Sequence, residues 1–305
     1  MKSSSIILFL KLSRPLFLIG GVLNYFLGLG IANYLGVTLD WAVVTLGQLW
    51  VTSLQLATHY LNEYFDFPHD AKNKNRTPFT GGSGVLGQEE GKLRPQVALI
   101  AAYCALTVTA LATFVLARLG SVNPLVLTIM FIATLGAIFY SIPPVRLSIS
   151  GFGELTTSIL LANLVPAFAF ALQHGSLHRL LAMSTFPLTA FTLASMLNLE
   201  FPDYASDMKA EKRTLFVRLG WQNAIRVHHI FVACGYLLFI ASWLAGLQLE
   251  IAILPLLTLP LALLQIWYMN RIADGLKPNW TALTLNALAI TIANTYLLTY
   301  AFWTR

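Results

Sequence analysis

Apolar residues run through this chain in blocks about as long as the ~20 residues a helix needs to cross a bilayer. Nine such blocks can be drawn, at 15–35, 42–66, 96–117, 123–142, 153–173, 180–201, 225–246, 249–270 and 281–303. Lipid offers no hydrogen-bond partner to a backbone amide, so each block must satisfy its own peptide groups and is expected to be a helix. Only 10% of the 305 residues are charged, against about 25% in an ordinary soluble domain. The expectation is an all-α, multi-pass membrane protein with about nine transmembrane helices. Residues 1–305 are read as one membrane-embedded unit, with an uncleaved first span and no separate soluble domain.

The formal net charge is +6, but the basic residues sit in short loops between apolar blocks, which excludes a nucleic-acid surface. Their distribution is lopsided. The N-terminal tail and the loops near 67–95, 143–152, 202–224 and 271–280 hold sixteen of the nineteen Lys and Arg. The opposite side holds Arg118, Arg179 and Arg305. The positive-inside rule makes the basic side cytoplasmic, with the N-terminus on it. The two longest loops are also on that side, and long loops in a compact protein often carry function.

Each of those loops opens on acids. Asn62, Asp66 and Asp70 follow one another at i, i+4 and i+8, which on a continuous helix makes one polar stripe. Magnesium is commonly held by one or two carboxylates together with phosphate oxygens. Pro68 cannot donate to the Tyr64 carbonyl, so the helix is expected to bend or end there. The second loop carries Asn198, Glu200, Asp203 and Asp207, with Pro202 just before Asp203. With Glu63, the two clusters use six of the thirteen acids. Gathered on one face they would repel, which makes a divalent cation the natural partner.

Cations follow both clusters: Lys72, Lys74 and Arg76 after the first, Lys212 and Arg213 after the second. They suit the oxygens of a phosphate group, although the positive-inside rule alone would also put basic residues there. The glycine-rich run at 76–84 matches no Walker pattern, so ATP is not implied. Tyr140 and Arg146 bracket a Pro-Pro turn, and Arg146 is a further phosphate candidate.

At these residues the sequence resembles the UbiA superfamily of intramembrane prenyltransferases. Its NDxxDxxxD motif corresponds to Asn62, Glu63, Asp66 and Asp70, and its DxxxD motif to Asp203 and Asp207. The YSIPPVR turn at 140–146 and the nine spans also match. Within that superfamily the stretches RTPFTGGSGVL and KRTL, and Arg14-Pro15, look like the 1,4-dihydroxy-2-naphthoate polyprenyltransferases of menaquinone synthesis. The resemblance implies helices around a central cavity under a cap of cytoplasmic loops. It implies one Mg²⁺ held by Asn62, Asp66 and Asp70 and a second by Asp203 and Asp207. It also implies a polyprenyl diphosphate and an aromatic small molecule as substrates. Glu63 and Glu200 stand where relatives often carry Asn or Asp. The residues leave the acceptor open between a dihydroxynaphthoate, 4-hydroxybenzoate, homogentisate, a porphyrin side chain and a glycerol-lipid hydroxyl. Chain length and oligomeric state are open as well. A secondary transporter would place its ionisable groups near the bilayer midplane, whereas these acids collect at the ends of spans two and six.

Overall fold

The computed structural model describes residues 5–71, 73 and 75–305. They form helices α1 (Ser5–Leu12), α2 (Pro15–Tyr34), α3 (Trp41–Asp70), α4 (Pro95–Arg118), α5 (Pro124–Phe139), α6 (Gly153–Ile159) and α7 (Val165–His174). There follow α8 (Arg179–Leu199), α9 (Tyr204–Lys209), α10 (Leu215–Leu219), α11 (Trp221–Leu244), α12 (Leu249–Ala252), α13 (Leu259–Ala273) and α14 (Trp280–Trp303). Among the described residues there is no strand, only an isolated bridge between Leu86 and Leu93.

Among the described residues, seven segments are long and apolar enough to span a membrane. Two of them are composite: α6 with α7, and α12 with α13. The other two expected spans fall short of that standard in different ways. α5 has only 16 residues. α3 has 30, but it carries Gln48, Gln55, His59, Asn62 and its acids.

Local chemistry sets the helix ends. Pro15, Pro95 and Pro124 open helices in the first turn, where the missing N–H would have had no partner. Asp40 Oδ1 accepts from Ala42 N at 2.9 Å, and Asn123 Oδ1 from Val126 N at 2.9 Å, each capping exposed amides. Gly175, at φ 80°, ends α7 in the left-handed conformation that favours glycine.

α3 does not break at Pro68. It continues to Asp70, and Ala71 N still donates to Phe67 O at 3.0 Å. Proline sits so near the C-terminal end that it removes one bond and little else. The expected break appears instead between α6 and α7, as a π-helical turn at Leu160–Leu164. Pro166 follows that turn and cannot donate to Ala162, which supplies a local reason for the wider turn.

α2 packs against α7 and α14, α3 against α4, and α8 against α11 and α14. At the first of these contacts the fit depends on glycine: a Cβ on Gly28 would lie 2.2 Å from Pro166 O. Small residues let membrane helices approach where no hydrophobic driving force separates them from lipid. Many hydroxyls inside the bundle bond back to the carbonyl four residues earlier, as at Thr189, Thr192, Thr295 and Thr299. Large apolar side chains such as Phe114, Phe131, Leu237 and Trp267 point outward and are more than half exposed. This is the pattern of a lipid-facing surface.

Candidate active site

The bundle holds a cavity of about 300 Å³. Its walls come from α2, α3, α5, the α6–α7 segment and α8, together with parts of the loops that follow α3 and α8. Helices α4, α11, α13 and α14 contribute no lining residue, so the cavity is ringed by fewer helices than nine. Trp50, Val51, Leu54, Ile129, Leu164 and Phe168 make an apolar wall. Asn62, Asp66, Asp70, Asp203, Asp207 and Lys212 also line it.

The first cluster is helix-borne. Asn62 Nδ2 donates to Asp66 Oδ2 at 2.9 Å across one turn of α3, as the spacing requires. Arg146 reaches Asp66 Oδ1 at 3.1 Å from the Pro-Pro turn. The second cluster lies past the end of α8, with Asp203 in the connecting turn and Asp207 in α9. Asp203 is held from across the chain: Asn73 Nδ2 donates to its Oδ1 at 2.6 Å, and Gly81 N to its Oδ2 at 3.0 Å.

Lys212 joins the two. Its Nζ lies 3.4 Å from Asp207 Oδ1, 3.8 Å from Asp66 Oδ2 and 4.0 Å from Asp70 Oδ1. The clusters therefore face each other across one ammonium group. Burial, reinforced by the Asp207 charge, pushes the Asp203 carboxyl up to about 6. Burial likewise raises Asp207. Burial by itself would lower the Lys212 ammonium, but Asp66, Asp207, Asp70 and Asp203 outweigh it and hold its pKa above the usual lysine value. Buried acids pushed towards protonation make a site that favours added positive charge.

Among the described residues, no three His, Cys, Asp or Glu side chains converge as a metal cage. The donors come as oxygen pairs, Asp66 with Asp70 and Asp203 with Asp207. That set fits magnesium, which is typically bound by one or two carboxylates and completed by water and phosphate oxygens.

Glu63 belongs elsewhere. It accepts from Ser83 N at 2.7 Å and Ser83 Oγ at 2.6 Å and pairs with Arg14, tying the loop after α3 to the α1–α2 junction. Arg76 braces the same loop, donating to Gly81 O and to Asp70 O, each at 2.7 Å. Gly82 needs to be glycine twice over: its φ is 74°, and a Cβ would meet Asp70 Oδ2 at 2.5 Å.

Tyr140 and Glu200 line the cavity as well. Asn198 does not: it is fully buried and lies against Met269 Sδ at 3.5 Å. Arg213 is exposed and also absent from the lining. Lys72 and Lys74 lie outside the described residues. Residues not assigned to the site from sequence also contribute: Asn73 and the Gly81 amide hold Asp203, and Glu154 and Thr157 stand in the wall. Glu154 had left a signal, an acid opening an otherwise apolar span.

The sequence pattern of the UbiA prenyltransferase family matches residues 22–288. The chain belongs to that family. Its curated relatives include the 1,4-dihydroxy-2-naphthoate octaprenyltransferase of Bacillus subtilis (strain 168), 25% identical over 211 residues. That match covers 68% of this chain and 62% of the relative's length. Among solved folds, a UbiA homologue from Archaeoglobus fulgidus bound to GPP and Mg²⁺ superposes with a TM-score of 0.66 at 16% identity. The superposition covers 98% of this family member and all of the homologue. A UbiA homologue from Aeropyrum pernix K1, in its apo form, gives 0.61 at 16% identity, covering 92% and 95% of the two chains.

Proposed function

We propose that this protein transfers a prenyl group from a prenyl diphosphate to an aromatic acceptor, with 1,4-dihydroxy-2-naphthoate as the best-supported acceptor and menaquinone synthesis as the setting. The observation that carries the reading is the meeting of two acidic clusters across Lys212, at the polar end of a cavity with an apolar wall. The B. subtilis relative supports the choice of acceptor.

Asn62, Asp66 and Asp70 would hold one Mg²⁺, and Asp203 and Asp207 a second. When bound, these ions supply positive charge that stabilises the departing diphosphate. Lys212 and Arg146, which contact the acids, would bind diphosphate oxygens as the charge develops there, while Arg76 holds the adjoining loop. Trp50, Val51, Leu54 and Phe168 house the prenyl chain and exclude water, which would otherwise capture the allylic cation. The C–O bond breaks with its electron pair going to diphosphate. An aromatic carbon of the acceptor then forms the new C–C bond, and its proton passes to the released diphosphate. In the cell membrane, the N-terminus and the acid-bearing loops lie on the cytoplasmic side.

The test is to incubate the purified protein with labelled geranylgeranyl diphosphate and a panel of aromatic acceptors, with and without Mg²⁺, and to identify products by mass. Asp66→Ala and Asp203→Ala should abolish product while the protein still inserts. Full activity in either variant would sink the reading.

A further inference from the structure

A second carboxyl pair lines the same cavity and has no part in the chemistry just described. Glu154 stands in the first turn of α6, and Glu200 caps the end of α8. Two successive backbone amides fix them side by side: Leu215 N donates to Glu154 Oε1 at 2.8 Å, and Phe216 N to Glu200 Oε2 at 3.3 Å. Glu154 is only 4% exposed. Its other oxygen, Oε2, is buried and receives no N–H or hydroxyl donor among the described residues. It faces the carboxyl of Glu200, to which Glu154 is hydrogen-bonded.

The surroundings narrow what this pair can bind. Thr214 bonds to Glu200, and the Tyr140 hydroxyl lies against Thr157. All of these residues line the cavity. Among the described residues neither glutamate has an ion-pair partner, in contrast to Asp66, Asp70 and Asp207. Two neighbouring carboxyls repel a phosphate and cannot both carry charge cheaply. One shared proton leaves the pair a single negative charge and spare lone pairs that no cation neutralises. The pair is therefore matched to a neutral hydrogen-bond donor that enters through the cavity. Ala137, Leu160 and Leu161 line the same space and provide apolar contact for a flat ring.

We propose that Glu154 and Glu200 form the acceptor's recognition site, taking hydrogen bonds from the phenolic hydroxyls of a dihydroxylated aromatic ring. The assignment rests on the transferase reading above and deepens it. Diphosphate is drawn to the end of the cavity that holds Lys212, while the hydroxyl-bearing substrate is drawn to the glutamates. Two carboxyls favour two hydroxyls, so the site selects dihydroxy over monohydroxy rings.

The experiment compares wild type with Glu154→Gln and Glu200→Gln, each first shown to be monodisperse in detergent. Either amide keeps an oxygen for its backbone donor, so the fold is retained. KM is measured separately for 1,4-dihydroxy-2-naphthoate and for geranylgeranyl diphosphate. Binding of each substrate alone is read by thermal shift. Losing a hydrogen bond to a charged group should raise the acceptor KM about tenfold. The diphosphate KM and its thermal shift should stay at the wild-type value, and the preference over 1-hydroxy-2-naphthoate should shrink. Unchanged acceptor KM in both variants, or a rise in the diphosphate KM instead, overturns the assignment while leaving the transferase reading intact. Wild-type protein that prenylates no acceptor overturns both.

Discussion

The two acidic clusters have the same i, i+4 spacing but are built differently. Asp66 and Asp70 ride on α3, a helix that runs through its own proline, and they meet side-chain cations directly. Asp203 sits where α8 has already ended, and its oxygens are positioned by Asn73 and by the backbone of Gly81. One cluster inherits its geometry from a helix; the other borrows it from a loop more than a hundred residues away in sequence. The same local spacing can thus be rigid in one place and conditional in another.

The comparison can be broken most directly at the acids. Asp66→Ala and Asp203→Ala should each lower kcat by at least about 10²–10³-fold, the scale of losing one preorganised electrostatic group. Of the two, only Asp203→Ala should also speed amide exchange across residues 75–83, because Asp203, unlike Asp66, accepts from that loop. Equal exchange in the two variants would show that the clusters are supported alike.

Lys212→Met removes the charge shared by both clusters. It should cost on the order of 3 kcal/mol, as expected when one partner of a buried ion pair is deleted. The melting temperature in chelator should drop, and added Mg²⁺ should recover part of the drop. Glu63→Gln should cost about 2 kcal/mol, since Arg14 loses its counter-charge. Transfer per folded molecule should be retained, which would place this acid with the loop and outside the gap. A collapse of kcat with unchanged melting would reverse that placement. Asn73→Ala removes a single neutral donor and should cost about 1 kcal/mol, with the loop loosened less than by Asp203→Ala. Denaturation in detergent, paired with exchange rates, resolves the series.

Much of this was legible in the chain. The apolar blocks gave the helices because lipid leaves the backbone no alternative. The Asn62–Asp66 contact followed from helical spacing alone. Pro68 misled because proline's cost depends on its distance from the helix end, and sequence shows the proline without showing the end. Asn198 misled in another way: it lies near the acids in sequence, but the turn of α8 points it at Met269. The bonds from Asn73 and Gly81 to Asp203 could not be read at all, since no local periodicity links a loop to a turn that far away. Glu154 was visible as an oddity in an apolar segment, but its partner Glu200 becomes apparent only when Leu215 and Phe216 draw the two together.

Lys212 has one more consequence, for the order of events in assembly. The gap between the clusters contains its own counter-ion, so burying four aspartates need not wait for anything dissolved in the surrounding water. Small metal-held domains often stay unfolded until their ion arrives. Here the chain can insert and close first, and on the proposed function metal loading would become an exchange of one cation for another inside a finished scaffold.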